Sequence, residues 1–332
     1  MTVGFGLVGL GGIAERVAAA IAAADNARLA AVRSRRLDDA VNFAARHGEP
    51  SAYSELERLL DDPDVDVVYI ATPNALHAEQ AIAAMEAGKH VLVEKPMALT
   101  VEDAMAMASV ADRMSVILGV GFHLRFHPVH LEIRRMIAEG EIGTPIYVES
   151  LFGSMSAISE DRWQLDPVLA GHGSLTGLGV HLIDLLPWLL GENVLEVSAF
   201  SDGPNAQRSV EWLTTATLRF ESETVGVLTS SRRLPNATNS VRVWGTERLV
   251  EAVGTIGVDP AGSLRITDGR TRTTRMLELG DLYHLEVEAF ARSVETGEPF
   301  IPGGDAGVMS VAITAAIAAA AASGQRVGLG GA

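Results

Sequence analysis

The 332-residue sequence predicts an α/β chain, with an N-terminal doubly wound parallel sheet followed by a C-terminal α+β domain built on a large, mainly antiparallel open sheet. Three observations predict it. Over residues 1–121 short apolar runs alternate with helical patterns, as parallel strands joined by crossover helices must. A glycine-rich turn stands directly between the first apolar run and the first helix. Beyond residue 190 strand-like runs follow one another without helices between them, which antiparallel pairing permits and parallel pairing does not. The boundary is placed near Gly121, giving domains 1–121 and 122–332, each long enough to bury its own core.

Each element has its own signal. Val3 to Val8 is a short apolar run, Gly9 to Ala24 an Ala-rich helix, and Arg28 to Val32 a second strand. Helices are expected at Leu37 to His47 and Ser54 to Leu60. A buried strand, Val65 to Ala71, is entered through Asp61-Asp62-Pro63-Asp64. Helix Ala75 to Ala87 should stop at Gly88, where a helix C-terminus favours glycine. Strand His90 to Val93, helix Val101 to Arg113 with Thr100 as its N-cap, and strand Val116 to Val120 complete the first sheet. In the second domain a helix is expected at Pro128 to Glu139 and a strand at Pro145 to Phe152. A Gly-rich stretch and helix Val180 to Leu190 come next. Strands are then expected at Leu195–Ser201, Trp212–Phe220, Thr224–Ser231, Ser240–Gly245, Arg248–Val253 and Ser263–Thr267. Helices Leu282 to Thr296 and Ala306 to Ser323 close the chain.

Composition narrows the function classes. With 42 acidic and 26 basic side chains the net charge is −16, which repels phosphate backbones and anionic lipid, so no nucleic-acid partner is expected. The chain has no cysteine, which removes thiol nucleophiles and thiolate metal sites. Met1 to Phe5 lacks the positive start and small-residue cleavage site of a signal peptide and reads as a strand, so a cytoplasmic location is expected. The stretch from Ala306 to Ser323 is long but mostly alanine, and is expected to pack against protein rather than lipid. His123, His127 and His130 fall close together, yet they need not share a helix face and no acidic cluster accompanies them, so no metal is expected.

Gly9-Leu10-Gly11-Gly12-Ile13-Ala14 carries the strongest local signal. The first glycine makes the tight turn, the second lets a pyrophosphate approach the backbone, and the small Ala14 lets helix pack on strand. The helix N-terminus then offers unpaired N–H groups to a diphosphate. This is the dinucleotide site of a Rossmann fold, which assigns cofactor binding to residues 1–121. The second strand ends Val32-Arg33-Ser34-Arg35-Arg36, without the acid that would hold the ribose hydroxyls of NAD. The hydroxyl of Ser34 and the guanidinium of Arg35 suit a 2′-phosphate instead, so the expected cofactor is NADP rather than NAD. A solvated helix start is the competing reading of these arginines.

Three further segments carry a family resemblance. They are Asp64-Val65-Asp66-Val67-Val68-Tyr69-Ile70-Ala71-Thr72-Pro73-Asn74 with His77, then Gly88-Lys89-His90-Val91-Leu92-Val93-Glu94-Lys95-Pro96, then Gly179-Val180-His181-Leu182-Ile183-Asp184. With the tail Gly324-Gln325-Arg326-Val327, they make the chain resemble the glucose-fructose oxidoreductase/inositol dehydrogenase/rhizopine catabolism (Gfo/Idh/MocA) family over nearly its whole length. Ser34, His123-Leu124-Arg125 and Arg162-Trp163-Gln164-Leu165 make it most similar to the NADP-dependent sugar reductases of that family.

The resemblance implies hydride transfer between a nicotinamide and a sugar, keto-sugar or cyclic polyol, with residues 122–332 binding substrate; a homodimer or homotetramer is expected because the exposed face of the second domain's open sheet needs covering. Such chemistry needs a cation or donor at the reacting oxygen and a proton source. The resemblance places Lys95 as that ammonium and His181 as the proton donor or acceptor. It places Thr72, Pro73, Asn74 and His77 around the cofactor's ribose and nicotinamide, with Glu94 and Pro96 flanking the lysine. Trp163 and Gln164 match a loop that reaches the cofactor, Gln164 standing where an arginine is common. Tyr283 is a further pocket residue, and His123 and Arg125 are candidates for the substrate, with plain packing as the competing reading for these three. The family commonly has an aspartate where this chain has Gly177, one turn before His181. Its role then falls to Asp184, His172 or a substrate hydroxyl, or else the protein is a catalytically impaired NADP(H)-binding sensor or assembly protein.

Overall fold

The computed structural model describes residues 2–155, 163–204 and 208–330. The chain forms two compact units: Met1–His123 with Asp281–Val311, and Leu124–Gly280 with Ala312–Ala332. The fold class is the expected one, a parallel Rossmann-like sheet and a mixed, mostly antiparallel sheet.

In the first unit the chain runs β1 (Val3–Val8), α1 (Gly12–Ala23), β2 (Ala27–Arg33), α2 (Leu37–Ala44), β3 (Ser51–Tyr53), α3 (Leu56–Leu60), β4 (Val67–Ile70), α4 (His77–Glu86), β5 (His90–Glu94), α5 (Val101–Met114) and β6 (Leu118–Gly121). Among the described residues the sheet has six strands, all parallel, in the order β3-β2-β1-β4-β5-β6. β1 and β4 are buried along their whole length, because helices cover both faces of a doubly wound sheet. The expected helix ends are present. Thr100 Oγ1 accepts from Asp103 N at 3.0 Å, and Gly88 takes φ +77° after α4.

Residues 281–311 return to this unit and bring α9 (Leu282–Thr296) and the first part of α10 (Gly304–Ser323) with them. The Phe5 and Phe290 rings meet edge to face, centroids 6.5 Å apart, and Phe290 in turn meets Phe300. Gly119 leaves room for those two rings, since a Cβ there would come within 2.5 Å of Phe300 and 2.7 Å of Phe290.

The second unit contains α6 (Pro128–Ala138), β7 (Pro145–Gly153), α7 (Pro167–Ala170), α8 (Val180–Leu190), β8 (Val194–Ser201), β9 (Leu213–Phe220), β10 (Val225–Ser231), β11 (Ser240–Gly245), β12 (Arg248–Val253), β13 (Ser263–Asp268), β14 (Thr271–Arg275) and β15 (Val327–Gly328). Its sheet has nine strands among the described residues, ordered β14-β13-β12-β11-β7-β10-β9-β8-β15, and only the β7–β10 pair is parallel. One face buries Val148, Leu218, Leu228, Val241, Val243, Val250 and Leu264, with α8 packed on β7 and β10 and against α6. The other face carries Tyr147 beside Trp244, centroids 5.3 Å apart, and Arg242 bonded to both Glu149 and Glu251. The Gly-rich stretch before α8 is a π-helical turn, Leu175–Gly179.

The segment Pro167–Leu190 and helix α10 are long and apolar enough to cross a membrane by length and composition. The first is mostly buried within the protein, and α10 partly so.

Candidate active site

The carboxyl edge of the parallel sheet gathers the first set of candidates. Gly9 follows β1, Ser34 follows β2, Thr72 lies just after β4 and Lys95 follows β5. In an open parallel sheet this is the edge where ligands bind.

Gly9 has φ +92°, and a Cβ there would approach the Ala71 carbonyl carbon and Thr72 Cγ2, each at 2.8 Å, so the turn tolerates only glycine. Gly11 caps α1 without a side-chain hydrogen bond, and nothing lies within 4 Å of a Cβ built at Gly11 or Gly12. Leu10 and Ile13 flank this opening and are half-buried. The first turn of α1 therefore presents backbone donors to open space, as a diphosphate requires.

The three arginines after β2 are not equivalent. Arg33 Nε donates to the Ser54 carbonyl at 3.1 Å, and Arg36 is held bidentately by Asp39 at 2.7 and 2.8 Å. Arg35 is exposed and makes no ion pair with any described residue, and the Ser34 side chain is likewise unengaged. One hydroxyl and one guanidinium after β2 are thus not committed to a described partner.

A buried polar cluster lies behind Lys95. The chain has only two lysines, and Lys89 is tied to the carbonyls of Asp62 and Val65. Lys95 is half-buried and precedes a cis peptide bond to Pro96. Its backbone N–H donates to Glu94 Oε2 at 3.3 Å, and Tyr69 donates its hydroxyl to Glu94 Oε1 at 2.9 Å. Burial holds the Glu94 carboxyl above the usual range, with the Lys95 charge and the Tyr69 hydrogen bond pulling the other way. Burial also pushes the phenols of Tyr69 and Tyr283 well up, and the charges of Glu94 and Glu286 add to the effect on both. Tyr283 stacks on His123 with centroids 4.8 Å apart, and Glu286 is fully buried one turn further along α9.

His77 is fully buried and joins two of these turns. Its Nδ1 meets the Pro96 carbonyl at 2.8 Å and its Nε2 meets the Thr72 carbonyl at 2.9 Å. Burial pushes its pKa down, so the ring is neutral and donates to one of the two at a time. Both nitrogens face protein, which makes His77 a tie between turns. Thr72 spends its hydroxyl on Gln80 at 2.7 Å, while Asn74 opens the short 3-10 turn after the half-buried Pro73.

The second unit holds the remaining candidates. His181 lies on α8, 6% exposed, with its ring 5.8 Å from that of Phe152. One turn earlier, a Cβ at Gly177 would collide with Arg232 Nη2. Asp184 is clamped by Arg125, whose Nε and Nη2 donate to Oδ2 and Oδ1 at 2.9 and 2.5 Å. Burial raises the Asp184 carboxyl and the Arg125 charge opposes the rise. Arg125 and Arg134 both sit over the Trp188 ring. Trp163 and Gln164 form a short 3-10 turn, and Gln164 Oε1 is buried without a partner. Arg162 of the same motif lies outside the described residues. His172 lends its carbonyl to the Thr176 hydroxyl.

His127 and His130 lie with rings 4.8 Å apart, and their hydrogen bonds go to Ala261, Val129, Leu124 and Thr255. Among the described residues no group of three or more potential ligands could hold a metal ion.

Sequence reasoning missed Tyr69, Glu286 and Arg232. Glu286 had a readable signal, an acid on the apolar stripe Leu282, Tyr283, Val287, Phe290 of a helix. Arg232 had none, because its significance comes from Gly177 in a distant segment.

Comparison with known proteins now bears on these arrangements. Residues 3–122 match the model of an oxidoreductase family with an NAD-binding Rossmann fold, and residues 130–251 match the GFO/IDH/MocA C-terminal domain. The chain is 32% identical to a 1,5-anhydro-D-fructose reductase of Ensifer adhaerens over 97% of both chains. It is 33% identical to D-xylose 1-dehydrogenase (NADP(+)) 2 of Haloferax volcanii, over 89% of this chain and 90% of the relative. The crystal structure of aldose-aldose oxidoreductase from Caulobacter crescentus, complexed with glycerol, superposes with a TM-score of 0.93 at 28% identity, covering 99% of this chain and 100% of that one. Two family models end to end, a relative matched over almost its full length and the glycine turn beside an open helix N-terminus agree, and the chain belongs to the GFO/IDH/MocA family of oxidoreductases.

Proposed function

We propose that the chain is an NADP(H)-dependent oxidoreductase that transfers hydride between the nicotinamide and a sugar, keto-sugar or cyclic polyol. The observation that carries this reading is the arrangement of the parallel sheet's carboxyl edge. A Cβ-free turn at Gly9, an unengaged hydroxyl and guanidinium at Ser34 and Arg35, and the ammonium-bearing Lys95 follow β1, β2 and β5 at that edge. Relatives named as sugar reductase and NADP(+)-linked xylose dehydrogenase support the same substrate and cofactor classes.

When bound, the nicotinamide supplies or accepts the hydride. The protein's own work is charge and proton management. Gly11, Gly12 and the first N–H groups of α1 hold the diphosphate, with Leu10 and Ile13 beside it. Ser34 and Arg35 hold the 2′-phosphate. Lys95 stabilises negative charge developing on the substrate oxygen, with the Glu94 carboxyl, its pKa raised by burial, behind it. Tyr69, His77 and the turn at Pro96 fix the lysine's backbone. His181 gives a proton to that oxygen in reduction and takes it in oxidation. Asp184, clamped by Arg125, fixes α8 beneath His181 rather than exchanging protons itself.

Residues 1–121, completed by the returning segment 281–311, form the dinucleotide-binding part, and the rest of 122–332 the part that binds substrate and forms a homodimer or homotetramer in the cytoplasm. His123 and Arg125 line the substrate side. Thr72, Pro73, Asn74, Trp163, Gln164 and Tyr283 lie around the cofactor.

The test is a panel of aldoses, ketoses and cyclic polyols assayed in both directions with NADP(H) and NAD(H). Turnover confined to NADP(H) with at least one such compound is expected. Tight NADPH binding with no turnover on any of them overturns the reading.

A further inference from the structure

We infer that Arg232 is the recognition site for a carboxylate on the substrate, so that the chain prefers a sugar acid such as a uronate to the corresponding neutral sugar. The inference rests on the proposed oxidoreductase reading for the reacting end of the molecule.

Arg232 follows β10, and its N–H donates to the Trp212 carbonyl at 2.8 Å. Two residues earlier, Ser230 faces the turn before α8, its Oγ 3.3 Å from Ser174 Oγ and 3.0 Å from a Cβ built at Gly179. Strand side chains alternate, so Arg232 projects toward the same turn. Its Nη2 occupies the space that any side chain at Gly177 would enter.

The guanidinium is half-buried, and no described carboxylate pairs with it. Nε is buried with no hydrogen-bond partner, and no carboxylate lies within ion-pair distance among the described residues. Burial pushes its pKa down, and only the more distant charge of Glu211 opposes that. Glu211 is already committed, accepting from Gly173 N and Leu175 N at 2.8 Å and from the Ser174 hydroxyl at 3.4 Å. On the neighbouring strand Trp212 Nε1 and Thr214 Oγ1 are also buried without partners. A guanidinium Nε and two polar groups without hydrogen-bond partners among the described residues, all at one end of a sheet, are costly unless a ligand meets them.

The ligand chemistry follows from the donor set. A single planar guanidinium matches a carboxylate bidentately. A phosphate dianion would call for more positive charge, and the second unit contains no lysine. The spacing is also suitable. Gly177 stands one turn before His181, about 5–6 Å along a helix, comparable to the span between the reacting carbon of a pyranose and a carboxylate on its far side.

The inference is tested with the NADP+-saturated protein, by calorimetric titration with D-glucuronate and with D-glucose and by kcat/KM for each. The wild type, Arg232→Gln and Gly177→Asp are compared, with melting curves to confirm folding. The wild type is expected to favour D-glucuronate at least tenfold. That ratio should fall at least tenfold in both variants, since Gly177→Asp supplies Arg232 with an internal carboxylate. Equal affinity for the two sugars in the wild type overturns the inference. So does an unchanged ratio in either folded variant. Tight D-glucuronate binding without turnover of it or of any compound in the aldose, ketose and polyol panel supports the anion site while overturning the oxidoreductase reading, and turnover of both sugars without preference does the reverse.

Discussion

The Tyr69 hydroxyl donates to Glu94 Oε1 at 2.9 Å inside the first unit, placing a phenol and a carboxyl, both hidden from water, immediately behind Lys95. Burial raises the pKa of Glu94, so the folded state binds its proton more tightly than the unfolded chain does. The contribution to stability is therefore full below the unfolded carboxyl pKa and is lost as pH rises through the folded one. Glu94→Gln should remove this loss. The amide can turn its oxygen toward Lys95 N and its NH2 toward Tyr69. Thermal melts of the cofactor-free protein should show the variant gaining about 2 °C at pH 8, on the order of 1 kcal/mol, with no gain at pH 4. A loss at pH 8 would contradict this account.

Arg35 makes no ion pair with a described residue, so removing it should cost the folded protein almost nothing and weaken NADPH binding about tenfold or more. Combined with Ser34→Asp, it should reverse the preference between NADPH and NADH. Fluorescence titration of each nucleotide checks both statements, and an unchanged ratio would show that the 2′-phosphate lies elsewhere.

Lys95→Ala should keep NADPH binding within a few-fold of wild type while slowing hydride transfer by roughly 10²–10⁴. Single-turnover absorbance at the reduced-nicotinamide band measures this directly. Near-normal rates would remove the lysine from the mechanism.

The Arg125–Asp184 pair predicts an asymmetry. Asp184→Ala strands a buried guanidinium and should cost about 3–5 kcal/mol in denaturant unfolding, whereas Arg125→Met with Asp184→Leu should cost far less. Equal losses for the two would mean that the pair supplies net stability rather than orientation.

The face of the nine-stranded sheet opposite α8 carries half-buried Tyr147 and Trp244 and the Glu149–Arg242 pair, a surface of aromatic and paired charged groups suited to meeting its own copy. Light scattering should give a dimer or tetramer, and Trp244→Glu should shift it toward monomer. A monomer at all concentrations would discard the homo-oligomer.

Much of the architecture was legible because local pattern and global fold agree. Helix Val180–Leu190 and strands Ser240–Gly245 and Arg248–Val253 have the boundaries expected from their apolar periodicity. Three strands left no such trace. β14 reads Thr-Arg-Thr-Thr-Arg and is exposed throughout, β15 is two residues long, and β3 is three, so all are held by pairing to a neighbour rather than by burial. The turn at Gly9 was legible for a related reason, since its positive φ and close approach to Ala71 are set by local sequence. Asp184 and Arg125 were each visible singly, but their bond spans 59 positions and no periodicity links them. His77 was read as a cofactor residue, yet its ring is spent on the Pro96 and Thr72 carbonyls, a use that only the folded turn reveals.

The return of residues 281–311 to the first unit matters to anyone who would transplant the nucleotide module into another protein. A fragment cut at Gly121 would leave the edge of Phe5 and the hollow at Gly119 stripped of Phe290 and Phe300. A working graft has to carry two separate lengths of chain, and the sequence between them must be bridged by a linker that lets α9 find its place.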